Sequence, residues 1–107
     1  MSIQTIARPE FDRLLPLNPA LENLMVGQVE WFSSKSGHVL GAIAKGRGFS
    51  EWNYAILRRD RKGDFSVRKV MGNFFNLRAA RVDLLLSMAG IERLGSVGRS
   101  RSRLVWD

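Results

Sequence analysis

The chain has 107 residues, with seventeen Lys and Arg against ten Asp and Glu for a formal charge of +7, and this size supports one domain around one core. It holds no cysteine and one histidine, which excludes a disulfide framework and a thiolate site and leaves too few ligands for a transition-metal centre. The apolar fraction, 45%, is ordinary for a globular fold, no stretch reaches the length of a membrane span, and the positive field favours anionic partners such as nucleic acid or an acidic protein.

The opening segment, Met1 to Arg8, has no continuous apolar run of the kind a secretory leader needs. Together with the lack of cysteine, this sets the expectation of a soluble cytoplasmic protein. Pro9 suits the first turn of a short helix carrying Phe11, Leu14 and Leu15, which Pro16 stops. Asn18-Pro19 is a second start signal, because Asn caps orphan amides and proline has none to lose. A helix over Pro19–Val26 would bury Leu21, Leu24 and Met25 and end at Gly27 in a left-handed conformation.

From Gln28 the apolar period changes to two. Val29–Ser33 is predicted as a strand, Ser34–Gly37 as a turn and His38–Ala44 as the returning strand. A glycine-rich connection, Lys45–Glu51, leads to the β-rich run Trp52–Leu57. The charged segment Arg58-Arg59-Asp60-Arg61-Lys62-Gly63-Asp64 and a second β-rich run from Phe65 to about Met71 complete a hairpin signature. With Gly63 in the left-handed position of a three-residue turn, Asp60 opposes Asp64 and Leu57 opposes Val67. One face of the hairpin then carries Ala55, Leu57, Phe65, Val67 and Met71. The other carries Trp52, Tyr54, Ile56 and Val70, with Arg58 and Arg68 among them. A four-residue turn would regroup these sets. Both faces are too apolar to stand in water, so the N-terminal helices, a second copy of the chain or a ligand must cover the one that the closing helix leaves open.

That closing helix starts at the cap residue Asn76 and carries Leu77, Ala80, Leu84, Met88 and Ile91 at three- and four-residue spacing, with Gly90 after the last regular turn. The predicted fold is α+β: a four-stranded antiparallel meander with a C-terminal helix packed on one face and short N-terminal helices. Residues 1–94 form the domain, and residues 95–107, rich in Gly, Ser and Arg, form a flexible basic tail.

Chemical motifs are scarce. His38 follows a turn glycine, and Asp60 and Asp64 flank a tight turn where solvated aspartates are common. Gly46-Arg47-Gly48 is too short to cradle a phosphate and opens no helix. The expectation is a non-enzymatic binding protein with no catalytic residues, no metal and no cofactor. Its first candidate surface is cationic: Arg58, Arg59, Arg61, Lys62, Arg68 and Lys69 at the hairpin would meet nucleic acid or an acidic protein. Its second is aromatic: Trp52, Tyr54, Ile56 and Val70 would join two copies in a homodimer. No membrane partner is expected.

Two resemblances accompany these readings. Arg47-Gly48-Phe49-Ser50-Glu51-Trp52-Asn53-Tyr54 resembles the eight-residue RNA-recognition signature at its first three and last positions, with Glu51 standing where that family stacks an aromatic on a base. More broadly, the chain resembles small uncharacterised bacterial α+β proteins of the kind carried on mobile gene cassettes. The resembling elements are Trp31-Phe32, Leu40-Gly41-Ala42-Ile43, Trp52-Asn53-Tyr54, Leu57-Arg58-Arg59-Asp60 through Gly63-Asp64-Phe65, and Ala80-Arg81 with Leu84. This second resemblance implies a fold and brings no activity with it.

Overall fold

The computed structural model describes residues 3–15, 27–46 and 51–97. In chain order they form β1 (Ile3–Ile6), α1 (Arg8–Leu14), β2 (Gln28–Ser34), β3 (Val39–Lys45), β4 (Trp52–Arg59), β5 (Phe65–Phe74) and α2 (Leu77–Val97). The strands make a single antiparallel sheet in the order β1-β2-β3-β4-β5. The fold is therefore α+β with an antiparallel meander and a C-terminal helix, as the sequence pattern indicates, but the sheet has five strands rather than four. The added strand is β1, which pairs Ile3–Ile6 with Trp31–Ser34. Four residues are too few to display a period, so pairing with β2 creates this strand rather than any pattern of its own.

α1 is the only N-terminal helix among the described residues; the segment predicted as a helix over Pro19–Val26 lies outside them. Pro9 occupies its first turn, and Leu15 ends it in an extended conformation, as expected of a residue that precedes a proline. α2 begins at Asn76, whose Oδ1 accepts the Ala79 amide at 2.8 Å. It does not stop at Gly90 but continues to Val97, because no proline follows to break it. Gly95, Ser96 and Val97, predicted as the start of a tail, are thus helical, and the remainder of that tail lies outside the described residues. No helix among the described residues is long and apolar enough to cross a membrane.

Side chains alternate across a sheet, so each strand feeds two cores. On one face Phe32, Val39, Ile43, Tyr54 and Ile56 pack against Ala80, Leu84, Met88 and Ile91 of α2. On the other, Leu40, Ala42, Leu57 and Phe65 pack with Phe11 and Leu15 from the α1 segment. Each such large side chain withdrawn from water contributes roughly 1.5–3 kcal/mol. Gly41 makes the first core possible: a Cβ there would lie 2.6 Å from Met88 Sδ and 3.0 Å from Leu84 Cδ1. Arg81 locks α2 to β2 as a fork, its Nε and Nη2 donating to Glu30 Oε1 at 2.9 Å and Oε2 at 2.5 Å. The hydrogen bond to Glu30 holds the Arg81 guanidinium pKa above its ordinary value.

The hairpin turn forms with the register expected from the sequence. Gly63 is left-handed, with φ of +93°, the Asp60 amide donates to the Asp64 carbonyl at 2.8 Å, and Leu57 opposes Val67. Beyond that pair the expectation fails. β5 takes one extra residue between Val67 and Lys69, so Lys69 opposes Ile56, Val70 opposes Ala55 and Met71 opposes Tyr54. A bulge of one residue reverses the side chains that follow it, here as far as the second register shift, after which Phe74 opposes Trp52. Met71 therefore shares the α2 face with Tyr54, and Val70 moves to the opposite face.

Candidate functional site

Asp60 builds the turn that carries the cations. Its Oδ1 accepts the amides of Lys62 at 2.8 Å and Asp64 at 3.0 Å. The carboxylate thus folds back on its own backbone, as turn aspartates do, while Arg61 and Lys62 extend into solvent. The Arg59 amide donates to the His38 carbonyl at 2.8 Å, fastening the hairpin to the start of β3. The Arg59 guanidinium lies over the Phe65 ring, 5.6 Å from its centroid. Phe65 is buried, so it supplies a floor for Arg59 rather than a platform for a ligand. Arg68 is the extra residue of the β5 bulge and is exposed.

The remaining two cations turn the other way. Lys69 Nζ donates to Ser87 Oγ on α2 at 2.9 Å. Arg58 is half-buried and donates through Nη1 to the Arg59 carbonyl at 3.3 Å. It lines a cavity of about 460 Å³ with Lys35, Ser36, His38 and Glu92. The structure therefore groups Arg59, Arg61, Lys62 and Arg68 as the exposed cations of the hairpin and places Arg58 and Lys69 on its α2 side. The ion pairs Arg8–Asp12, Arg13–Glu10 and Arg81–Glu30 all lie off the hairpin. Its positive charge is left to act outward.

The four residues of the aromatic candidate surface do not form one surface. Tyr54 and Ile56 are buried beneath α2 at 1% and 0% exposure. Trp52 is half-buried with Lys45 Nζ 5.2 Å from its ring centroid. Val70 is 55% exposed on the opposite face. Two physical causes separate them: α2 seats on the Tyr54 face, and the β5 bulge carries Val70 away from it.

Tyr54 is instead the polar anchor of the α2 core. Its hydroxyl donates to Asp83 Oδ2, lies 3.2 Å from Ser87 Oγ, and its ring stacks on Phe74 at 5.5 Å between centroids. Burial, and then the hydrogen bond to Asp83, push the phenol up to about 12 from an ordinary value of 10. A raised folded-state value stabilises the fold below pH 10, and that stabilisation drains away as the pH climbs from about 10 to about 12. Tyr54 is the only tyrosine, so tyrosinate absorbance reports on it alone. The expected titration midpoint is near 12 in the native protein and near 10 in denaturant. A native midpoint of 10 would show the hydroxyl to be in water.

A surface of a different kind was missed in the sequence. Val82 and Leu86, on the side of α2 that faces away from the sheet, are 51% and 66% exposed, and Phe75 is 81% exposed. The signal was present, since Ala79, Val82, Leu86 and Ala89 form a second stripe at helical spacing. The core stripe, Leu77, Ala80, Leu84, Met88 and Ile91, is the longer of the two and carries more large side chains.

No family model matches the chain, and neither a curated protein nor a solved structure matches it.

Proposed function

We propose that the protein is a non-enzymatic binding protein that grips the phosphate backbone of nucleic acid through the tip of the β4–β5 hairpin. The observation that carries this reading is the set of four exposed cations, Arg59, Arg61, Lys62 and Arg68, on one hairpin and outside every ion pair found among the described residues. Contacts from such cations to phosphates position the nucleic acid and carry no sequence information. The one aromatic at the tip, Phe65, is buried under Arg59, so base stacking contributes nothing there. Binding is accordingly tolerant of sequence and governed by salt.

Four phosphate contacts give a slope of log affinity against log salt of about −3.6, or a loss of about 100-fold between 50 and 200 mM salt. Reversing Arg59, Arg61 and Lys62 to Glu should flatten that slope by about three and weaken binding equally for every sequence tried. Fluorescence anisotropy with labelled oligonucleotides measures both. Binding absent at low salt, or a triple variant that keeps the full slope, would remove the hairpin as the contact.

A further inference from the structure

α2 carries two apolar stripes, and the sheet uses only one. Leu77, Ala80, Leu84, Met88 and Ile91 turn toward β2–β5. On the far side Ala79, Val82, Leu86 and Ala89 recur at steps of three, four and three, the rhythm of a coiled-coil seam. Phe75 lies one further step of four ahead and is 81% exposed. A residue just before a helix cap commonly folds back on the first turn; this one stands in solvent. A cavity of about 490 Å³, lined by Phe74, Val82, Asp83 and Leu86 among others, opens beside the stripe. Large apolar groups gathered at such exposure on one helix face mark a docking surface.

The occupant follows from the symmetry of the stripe. Laid antiparallel on its own twin about a two-fold axis level with Leu84, Val82 of one helix meets Leu86 of the other and Ala79 meets Ala89. The alanines permit close approach toward the ends while the branched side chains fill the centre. On one flank the exposed Arg78 of each copy stands at the rim of the seam. On the other flank Asp83 lies near its twin, but its carboxylate is drawn toward its own sheet by the Tyr54 hydroxyl. An interface in which Val82 meets Leu86 while Leu86 meets Val82, each contact occurring twice, is what a two-fold dimer requires.

We infer that α2 pairs antiparallel with α2 of a second copy, through Ala79, Val82, Leu86 and Ala89, to form a homodimer. An aromatic side chain presents about 150–250 Å², and with Phe75, Val82 and Leu86 this exposed the seam offers on the order of 500 Å² per copy, about 1,000 Å² in all, at the lower edge of specific interfaces. The dimer is correspondingly reversible. Because α2 ends beside the hairpin, with Glu92 and Arg58 lining one cavity, antiparallel pairing sends the two cationic tips to opposite ends of the assembly. The pairing itself rests on the helix face alone and not on the nucleic-acid reading.

Sedimentation equilibrium over a wide concentration range tests this, at moderate salt where the charges of two copies are screened. The wild type should pass from monomer to dimer. Leu86→Glu, at a site already in solvent, should raise the dissociation constant at least tenfold with an unchanged circular dichroism spectrum. The chain has no cysteine, so Ala79→Cys and Ala89→Cys report the orientation directly. Oxidising a mixture of the two should give a cross-linked heterodimer, and neither variant alone should cross-link with itself. A wild type monomeric at every concentration, an unweakened Leu86→Glu dimer, or Ala79→Cys chains linked to each other would overturn the proposal.

Discussion

Tyr54→Asp is expected to leave the chain with no cooperative folding transition. Truncating a fully buried aromatic costs about 3–5 kcal/mol through lost burial and the cavity left behind, and Tyr54 is 1% exposed. The new carboxylate would then sit in the same closed space as Asp83, where an unpaired charge costs several kcal/mol more. Against a total stability of roughly 5–15 kcal/mol for a domain, the two losses together are decisive. Tyr54→Phe is the control. It keeps the ring and its stack on Phe74 and loses only the bonds to Asp83 and Ser87, at about 1–2 kcal/mol. That variant should fold and melt several degrees lower. Thermal circular dichroism separates the outcomes, and a native, cooperatively melting Tyr54→Asp would mean that α2 is not seated on this face.

How much of this was legible in the sequence differs from element to element. α1, the Gly63 turn and the core stripe of α2 each have a local cause, namely a proline, a left-handed glycine, or residues recurring at helical spacing. Such causes are visible without the fold. β1 has none, since its four residues become a strand only by pairing with Trp31–Ser34. The bulge at Arg68 is equally silent in sequence, yet it decides which side of the sheet Val70 and Met71 occupy. The cationic tip was readable because charge and turn chemistry are both local. Its division into four outward cations and two drawn toward α2 was not, because Lys69 is turned by Ser87, a residue on another element.

The same distinction explains why the aromatic surface was misjudged. Trp52, Tyr54 and Ile56 do alternate along one strand, and their face does need a cover. What the pattern could not say is that the chain's own closing helix supplies it, leaving the other face to Phe11, Leu15 and their neighbours. Apolar side chains demand burial without naming a partner. The partner is set by which helix has a stripe of matching shape and where the connection lets it land. Here Gly41 and Gly63 set the terms, one by admitting Met88 and Leu84 to the sheet and the other by fixing the hairpin register.

Gly41→Val is expected to be as informative as Tyr54→Asp, because it tests the seat of α2 from the opposite side. The first added carbon alone would stand 2.6 Å from Met88 Sδ and 3.0 Å from Leu84 Cδ1, well inside contact distance. Valine adds two more carbons to a closed layer, and overpacking of this kind costs about 1–3 kcal/mol or more. Met88 and Leu84 are both fully buried, so neither can swing into solvent to make room. Met88→Ala, which empties the same space, should by itself cost about 2–5 kcal/mol. Combined, the two changes fill each other's defect, and the double variant should lose at least about 1 kcal/mol less than the sum of the single losses. Urea denaturation of the four proteins measures that coupling, provided that the slope against denaturant stays constant. Strict additivity would place Gly41 somewhere other than beneath Met88, and with it would fall the packing of α2 on which both the buried Tyr54 and the outward stripe depend.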